Sequence, residues 1–253
     1  MSFEHCAELA VVVGATGDFG KEIVARLCDR GLGVVAVSRT EAALEALVAR
    51  HPEVRACAAD IASDEAITAV ARAVDRPVRM VVHGPGVAVA GGILSAPTAA
   101  VVDAANIKVG GMLRLARAVD QRLLRGSRLV AIGGHYGFEP TAYAAAAGIA
   151  NAALVNLMRQ LSLAYGLRGV TAHLIAPGPA DTARLHRVAA DRAALLGIDV
   201  EEVLAQMRAE SSIGAFTTPA QVAWAVSLLL DPEADAMTGA TLMLDAGRRR
   251  GLP

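Results

Sequence analysis

Residues 9–39 decide the fold of this chain and read LAVVVGATGDFGKEIVARLCDRGLGVVAVSR. The first five residues are apolar with no polar alternation, which is typical of a strand buried on both faces. Gly14, Gly17 and Gly20 follow at three-residue spacing and open a helical pattern with apolar residues on one side. A second apolar run follows at 33–38, so the segment predicts a strand, a glycine turn, a helix and another strand.

The glycine turn predicts a binding site for a dinucleotide. Glycines let the backbone approach a pyrophosphate closely, and the N-terminus of the following helix attracts its negative charge. A glycine triplet alone is a weak signal, because tight turns from strand to helix also occur without a ligand. Here a buried strand and an amphipathic helix flank the turn, which is the context that the motif requires.

The composition predicts one large α/β domain and excludes several function classes. The chain has 253 residues, of which 54% are apolar and 3% aromatic, and a net charge of -1. Such a charge creates no broad field for nucleic acid or an acidic membrane. No apolar stretch is long enough to span a bilayer, and the first residues do not resemble a signal peptide.

The cysteines indicate a reducing environment. Cys6, Cys28 and Cys57 are odd in number and match no ligand spacing. We therefore expect free thiols, no metal site and a cytoplasmic location.

Helical and strand patterns alternate along the rest of the chain. Further strands are predicted at 54–59, 78–83, 128–132, 170–175 and 240–244, and further helices at 41–50, 65–74, 99–124, 141–165 and 221–230. This alternation predicts a Rossmann-like, doubly wound parallel sheet of about seven strands in a single domain, residues 1–253. An active site would lie at the C-terminal ends of the strands.

The long irregular interval at 183–218 contains the helix-like sequences ADRAALLG and VEEVLAQMRAE. Two helices at this edge of the sheet would form a flap over a substrate. The alternative is a surface elaboration that does not touch the substrate.

Several motifs together resemble the short-chain dehydrogenase/reductase family over residues 10–247. They are GATGDFG at 14–20, Asp60-Ile61, AANIKVGG around Asn106, RGVTAHLIAPGPADT at 168–182 and MTGATLMLDAG at 237–247. Two places depart from the usual family pattern. Asp18 stands in the turn where glycine is common, and HGPG at 83–86 replaces an asparagine-rich sequence.

The resemblance implies a nicotinamide dinucleotide as cofactor, and the end of the second strand favours NADP(H) over NAD(H). An acidic residue there would hold the ribose hydroxyls, whereas this chain has Ser38, Arg39 and Thr40. The Arg39 guanidinium can pair with a 2′-phosphate, and the two hydroxyl groups can donate hydrogen bonds. The cofactor-binding residues implied by the resemblance are Gly14, Thr16, Gly17, Phe19, Gly20, Ser38, Arg39, Thr40, Asp60, Ile61, Gly84, Asn151, Pro177, Gly178, Ala180 and Thr182.

The usual catalytic side chains of the family are missing at the matching places. The resemblance implies a serine that polarises a carbonyl, a tyrosine that transfers a proton and a lysine that lowers the pKa of the tyrosine. Counting back without gaps from residues 168–169 places these three roles on Gly134, Ala147 and Asn151. Asn106 alone stands where the family has its asparagine. An alternative register that uses Tyr143 as the tyrosine also lacks the lysine.

Three other residues are candidates for proton transfer. His135 and Tyr136 follow the fifth strand, where a substrate would lie, and Tyr143 precedes the next helix. A histidine can protonate an oxyanion near neutral pH, and a tyrosine can orient or polarise it. The alternative is a loop histidine and a packed aromatic side chain. His186, in the flap, is a weaker candidate.

Three functions remain open at this point. The first is an NADP(H)-dependent oxidoreductase that acts on a small carbonyl compound or enone with a non-standard proton-transfer arrangement. The second is a non-redox cyclase, isomerase or dehydratase on the same fold. The third is a catalytically inactive NADP-binding subunit or sensor. The family resemblance and the alanine-rich helix also imply a homodimer or homotetramer.

Overall fold

Seven short apolar runs form one parallel sheet in the part of the chain that the computed structural model describes, residues 2–87 and 91–251. In chain order the strands are β1 (Leu9–Val13), β2 (Gly33–Ser38), β3 (Val54–Ala58), β4 (Val78–His83), β5 (Leu123–Ile132), β6 (Thr171–Pro177) and β7 (Thr241–Leu244). Their order across the sheet is β3-β2-β1-β4-β5-β6-β7, and each neighbouring pair is parallel.

Helices cover both faces of the sheet. They are α1 (Asp18–Asp29), α2 (Glu41–Val48), α3 (Glu65–Ala73), α4 (Thr98–Ala105), α5 (Gly111–Val119), α6 (Ala145–Tyr165), α7 (Ala183–Leu196), α8 (Val200–Ala209) and α9 (Pro219–Leu228). Apolar side chains of α1, α2 and α9 form one core with the sheet, and those of α3, α5 and α6 form a second core on the opposite face. The predicted Rossmann-like α/β fold is therefore confirmed.

The strand order reverses between β1 and β4. From β1 the chain moves outward to β3, and it then crosses back so that β4 pairs with the other side of β1. In doubly wound sheets this reversal opens a crevice at the C-terminal ends of the strands, where ligands bind. The glycine turn, which follows β1, lies at this crevice.

The predicted helix at 99–124 is interrupted in the structure. It consists of α4, a π-helical turn at Asn106–Gly110, α5 and a short 3-10 turn at Asp120–Arg122. The next strand then begins at Leu123 and not at the predicted residue 128, because Leu123 pairs with Val78 before a shift in register. A π turn accommodates an extra residue without breaking the helix, so an apolar period does not reveal it.

The predicted helix at 141–165 also starts later than expected. It begins at Ala145, and the preceding Ala144 has φ -126° and ψ 53°, outside the helical region. Tyr143 therefore lies in the loop that connects β5 to α6.

A buried arginine ties β5 to the segment after α9. The side chain of Arg128 is 1% exposed, and its guanidinium forms an ion pair with Asp235 at 2.6 Å. The same guanidinium donates a hydrogen bond to the carbonyl oxygen of Leu229 at 2.6 Å. Burial of such a charge is tolerated because its donors are satisfied.

The interval 183–218 contains α7 and α8, which pack against each other through their own apolar cluster. The cluster consists of Leu185, Ala189, Ala193, Val203, Leu204 and Met207. Among the described residues, no helix combines the length and the apolar character needed to cross a membrane.

Candidate active site

The glycine turn is held tight by contacts that exclude side chains. Gly14 has φ +81°, and a Cβ atom there would lie 2.9 Å from the carbonyl oxygen of Gly84. A Cβ atom on Gly20 would lie 2.1 Å from the carbonyl oxygen of Gly14. Both positions therefore need glycine for the fold itself.

Gly17 has a different reason to lack a side chain. It is exposed, and a Cβ atom there would meet only the carbonyl oxygen of Gly14, at 3.4 Å, which is an ordinary contact. None of the described residues fills this space at the start of α1. The open backbone suits a pyrophosphate that approaches the helix N-terminus.

A cleft of about 440 Å³ runs from the glycine turn to the loop after β5. Many of the predicted cofactor-binding residues line it. They are Gly14, Gly17, Phe19, Gly20, Gly84, Asn151, Pro177, Gly178, Ala180 and Thr182.

Two predicted cofactor-binding hydroxyl groups connect the glycine turn to the end of β2, beside the cleft. Thr16 Oγ1 and Ser38 Oγ lie 2.9 Å apart, and Ser38 Oγ also accepts a hydrogen bond from the Thr40 backbone N–H at 3.5 Å. The side chain of Arg39 is exposed at this strand end. These residues are placed to bind a ligand that extends from the cleft over β2.

The remaining predicted cofactor-binding pair follows β3. Asp60 is exposed, and its Oδ1 accepts a hydrogen bond from the Ala62 backbone N–H at 3.0 Å. Ile61 is buried in the core. Neither residue lines the cleft.

The loop after β6 closes one wall of the cleft. The Gly178 backbone N–H donates to the carbonyl oxygen of Leu244 at 3.0 Å, and a Cβ atom at Gly178 would lie 2.9 Å from Asp245 Cα. Thr182 Oγ1 accepts a hydrogen bond from the Leu185 backbone N–H at 3.3 Å and so caps α7. The start of α7 is thereby placed against the cleft.

The structure brings two candidate tyrosines together. Tyr136 and Tyr143 both line the cleft, and their hydroxyl oxygens are 2.8 Å apart. Burial, together with the contact to Tyr143, raises the pKa of Tyr136 well above its usual value. The Tyr136 hydroxyl therefore keeps its proton at neutral pH, while Tyr143 is 51% exposed and has access to water.

His135 also lines the cleft, and its part in proton transfer stays a prediction. Its side chain is buried, and burial, with a smaller contribution from Arg248, lowers the pKa of the imidazole to about 4. Burial thus favours the neutral ring, which is a poorer proton donor near neutral pH than an imidazolium. His186 is exposed and outside the cleft lining, and its Nε2 lies 2.9 Å from Asp181 Oδ1.

Gly134, Ala147 and Asn151 line the same part of the cleft. A Cβ atom on Gly134 would lie 2.9 Å from Asn151 Nδ2. Asn151 is buried, and its Oδ1 has no hydrogen-bond partner within the described part of the chain. An unsatisfied buried acceptor is costly, and a ligand hydroxyl in the cleft would satisfy it.

Asn106 is not brought together with the other candidates. Its Nδ2 donates to the carbonyl oxygen of Ala62 at 3.0 Å, and its Oδ1 accepts a hydrogen bond from Arg114 Nη1 at 2.9 Å. The side chain is absent from the cleft lining. Its contacts connect the π turn to the loop after β3, and a role of Asn106 in catalysis stays a prediction.

Lys108, two residues further along the π turn, was not predicted as a site residue from the sequence. Its side chain lines the cleft although the residue is only 5% exposed, and Nζ donates a hydrogen bond to the Ile132 carbonyl oxygen at 2.8 Å. Burial, with a smaller contribution from Arg184, lowers the pKa of this ammonium to about 8. A lysine within the otherwise uncharged sequence AANIKVGG was the available signal.

Arg184 was also missed. It lies at the start of α7, lines the cleft, and donates from Nη2 to the carbonyl oxygen of Val87 at 2.6 Å. The neighbouring lining residues Leu185 and Val188, together with Met207 from α8, are apolar. This end of the cleft is therefore apolar, with cationic groups at its edge.

The fold and the cleft define a dinucleotide-binding protein of the Rossmann type, and comparison with known proteins identifies its family. A family model described as enoyl-(acyl carrier protein) reductase matches residues 14–249. The short-chain reductase protein NovJ of Streptomyces niveus is 30% identical, with 95% of this chain and 93% of NovJ covered. A putative ketoacyl reductase of Streptomyces coelicolor is 28% identical, with 95% and 97% covered.

One solved structure is similar to this chain over nearly the whole length of both proteins. It is a single-residue variant of actinorhodin polyketide ketoreductase, determined with NADPH, and it has a TM-score of 0.88 and 25% identity, covering 98% of this chain and 99% of that one. The chain belongs to the short-chain dehydrogenase/reductase family.

Proposed function

We propose that the protein is an NADP(H)-dependent oxidoreductase that acts on a small carbonyl compound or enone. The observation that carries this proposal is the continuous cleft between the open glycine turn and the paired hydroxyl groups of Tyr136 and Tyr143. Membership of the family and the reductase names of its relatives support redox chemistry.

The residues present fit a dinucleotide. The space beside Gly17 is open, and the buried Asn151 Oδ1 lacks a partner among the described residues, so pyrophosphate and ribose groups would find matching surroundings. Ser38, Arg39 and Thr40 would hold a 2′-phosphate, which supports NADP(H) and agrees with the NADPH in the actinorhodin ketoreductase structure. When bound, this cofactor supplies or accepts a hydride.

The tyrosine pair provides a non-standard route for the proton. In the direction of reduction, the Tyr136 hydroxyl donates a hydrogen bond to the substrate oxygen and then its proton. It recovers a proton from the Tyr143 hydroxyl, which exchanges with solvent through its exposed side. The raised pKa of Tyr136 makes its hydroxyl a weak acid. It therefore transfers its proton more readily to a basic alkoxide than to a stabilised enolate or phenolate.

The helices α7 and α8 complete the substrate end. Leu185, Val188 and Met207 present apolar surface to the cleft, so we infer that the interval 183–218 acts as a flap over the apolar part of a substrate. Exclusion of water by such a flap strengthens hydrogen bonds to the reacting oxygen.

A spectrophotometric assay tests the function. NADPH should be consumed in the presence of at least one class in a panel of ketones, quinones and enones. Binding of NADPH without any turnover across the panel would contradict the redox function and favour a non-redox enzyme or a binding subunit. The matched comparison with NADH tests the cofactor preference.

Assembly into a homodimer or homotetramer stays a prediction. Ile149 and Leu163 on α6 and Trp224 on α9 are exposed apolar residues in the single chain. Light scattering on the purified protein measures the mass directly, and a monomer would contradict the prediction.

A further inference from the structure

Lys108 is a buried cation with an incomplete set of partners. An ammonium carries three N–H donors, and the one hydrogen bond found for it in the described structure is to the neutral carbonyl oxygen of Ile132. No carboxylate of the described residues forms an ion pair with it. Burial of an ammonium without a counter-ion costs free energy. A purely structural role does not explain why this position carries a charge.

The described residues around Lys108 do not supply the missing negative charge. Arg184, facing it from α7, is itself positive. His83, facing it from β4, is fully buried, and burial together with the nearby Lys108 ammonium lowers the pKa of this imidazole to about 3, so the ring is neutral. Ala147 and Asn151, which α6 contributes to the same cleft, carry no charge.

The acidic residues of the cleft do not change this balance. Among its described lining residues the one carboxylate is Asp18, which belongs to the glycine turn at the start of α1. The end of the cleft near Lys108 therefore has a positive potential and apolar walls. Such a site favours an oxygen that gains negative charge.

Lysine is a rare residue in this chain, so its presence at position 108 is informative. Lys21 and Lys108 are the only lysines among 24 basic residues. An arginine stays charged and needs its planar donors satisfied, whereas a lysine is a compact charge that can occupy a small space. Of the two lysines, the buried one stands at the cleft.

We propose that Lys108 is a catalytic residue whose ammonium stabilises the negative charge on the substrate oxygen while the substrate carbon accepts a hydride. This inference rests on the proposed function. As the carbon–hydrogen bond forms, the electron pair of the C=O π bond moves onto oxygen; the hydride, with its two electrons, would come from bound NADPH, which would be oxidised to NADP⁺. The oxygen then takes the proton of the Tyr136 hydroxyl, and the Lys108 ammonium keeps its own proton.

The pH dependence of turnover tests the proposal on the unaltered protein. Because the pKa of Lys108 is lowered to about 8, the ammonium is present below pH 8 and is lost above it. We expect kcat to fall as the pH rises through the pKa of Lys108. Lysine-selective isotope labelling gives two NMR signals, and the variant Lys21→Met assigns them, so that this pKa is measured independently of activity. A kcat that stays constant while Lys108 titrates would overturn the proposal.

Substitution provides the second test. Lys108→Met should lower kcat by about 10²–10³-fold and remove the fall at high pH, with NADPH bound as in the wild type. Lys21→Met is the matched control and should change neither kcat nor the pH profile. A folded Lys108→Met variant that keeps kcat would overturn the proposal, whereas absence of NADPH oxidation by the wild type would overturn the proposed function as well.

Discussion

The hydroxyl oxygens of Tyr136 and Tyr143 lie 2.8 Å apart, and the two rings meet edge to face with centroids 5.7 Å apart. One residue belongs to the short 3-10 turn His135–Gly137 after β5, and the other to the loop before α6. The pair therefore joins the hydroxyl of a half-buried tyrosine at the cleft to the hydroxyl of an exposed tyrosine.

The first prediction concerns this pair. Tyr136→Phe should lower kcat by at least about 10²-fold, because it removes the proton donor. Tyr143→Phe should have a smaller effect, because water can replace the relay. The chain has three tyrosines, and the third, Tyr165, donates to Asp120 Oδ1 at 2.9 Å outside the cleft lining. Tyr165→Phe is thus a matched control that should leave kcat unchanged, and equal effects of all three substitutions would contradict the assignment.

The second prediction concerns cofactor preference. NADPH should bind more tightly than NADH, and Arg39→Ala should weaken NADPH binding by about 1.5–3 kcal/mol through loss of a charge-assisted hydrogen bond. NADH affinity should not change, because NADH has no 2′-phosphate. Fluorescence titration measures both affinities, and Arg50→Ala, which removes another exposed arginine, is the control. A similar loss of affinity for both cofactors would contradict the assignment of Arg39 to the 2′-phosphate.

The third prediction separates folding from binding at the glycine turn. Gly20→Ala should destabilise the protein by about 3 kcal/mol, which lowers the Tm by roughly 6–12 °C, because its Cβ atom would lie 2.1 Å from the Gly14 carbonyl oxygen. Gly17→Ala should keep the Tm within a few degrees, because its Cβ atom meets no closer contact than 3.4 Å. It should weaken NADPH binding, because the methyl group occupies the open space where the pyrophosphate would approach the helix N-terminus. Thermal unfolding and titration on both variants measure the two effects. An unfolded Gly17→Ala protein would refute the separation.

The fourth prediction concerns acid stability. Burial lowers the pKa of His83 to about 3 and those of His135 and His173 to about 4. Between roughly pH 6.5 and pH 4 the unfolded chain binds protons at these sites and the folded protein does not, so the free energy of unfolding falls as the pH falls. The slope is up to about 1.4 kcal/mol per pH unit for each histidine. Urea unfolding at several pH values measures it, and His135→Gln should reduce the slope without removing it.

The fifth prediction concerns the arginine buried between β5 and the segment after α9. Arg128→Leu should lower the free energy of unfolding by about 1–3 kcal/mol, because the buried carbonyl oxygen of Leu229 loses its donor. Asp235→Asn should cost less, because the guanidinium keeps its hydrogen bonds to the carbonyl oxygens of Leu229 and Asp231 and the amide oxygen can still accept from Nη1. Denaturant unfolding of both variants gives the comparison, and equal losses would contradict it.

The sequence predicted the elements whose limits are local in origin. The bounds of β2 and β4 agree with the prediction to the residue, because apolar runs end there at turn residues. It did not predict that the helix at 99–124 is interrupted by a π turn, nor that β5 begins at Leu123. Both features depend on tertiary contacts.

The same limit applies to the candidate site. The positions of Gly14 and Gly20 follow from a motif whose spacing has a steric cause. The directions of Asn106 and Lys108 do not follow from any motif, because the π turn changes the face on which each side chain emerges. The contact between Tyr136 and Tyr143 joins two loops, and loops carry no periodic signal.

The π turn at Asn106–Gly110 has a consequence for how this cleft can gain or lose a charge. Each residue added to or removed from a helix rotates everything beyond it by about 100°. Deleting one residue just before Lys108 would swing its ammonium away from the carbonyl oxygen of Ile132. Whether a relative of this protein has a cation beside the residue that matches Ile132 then depends on two things. One is the residue type at position 108, and the other is the number of residues in this helical turn.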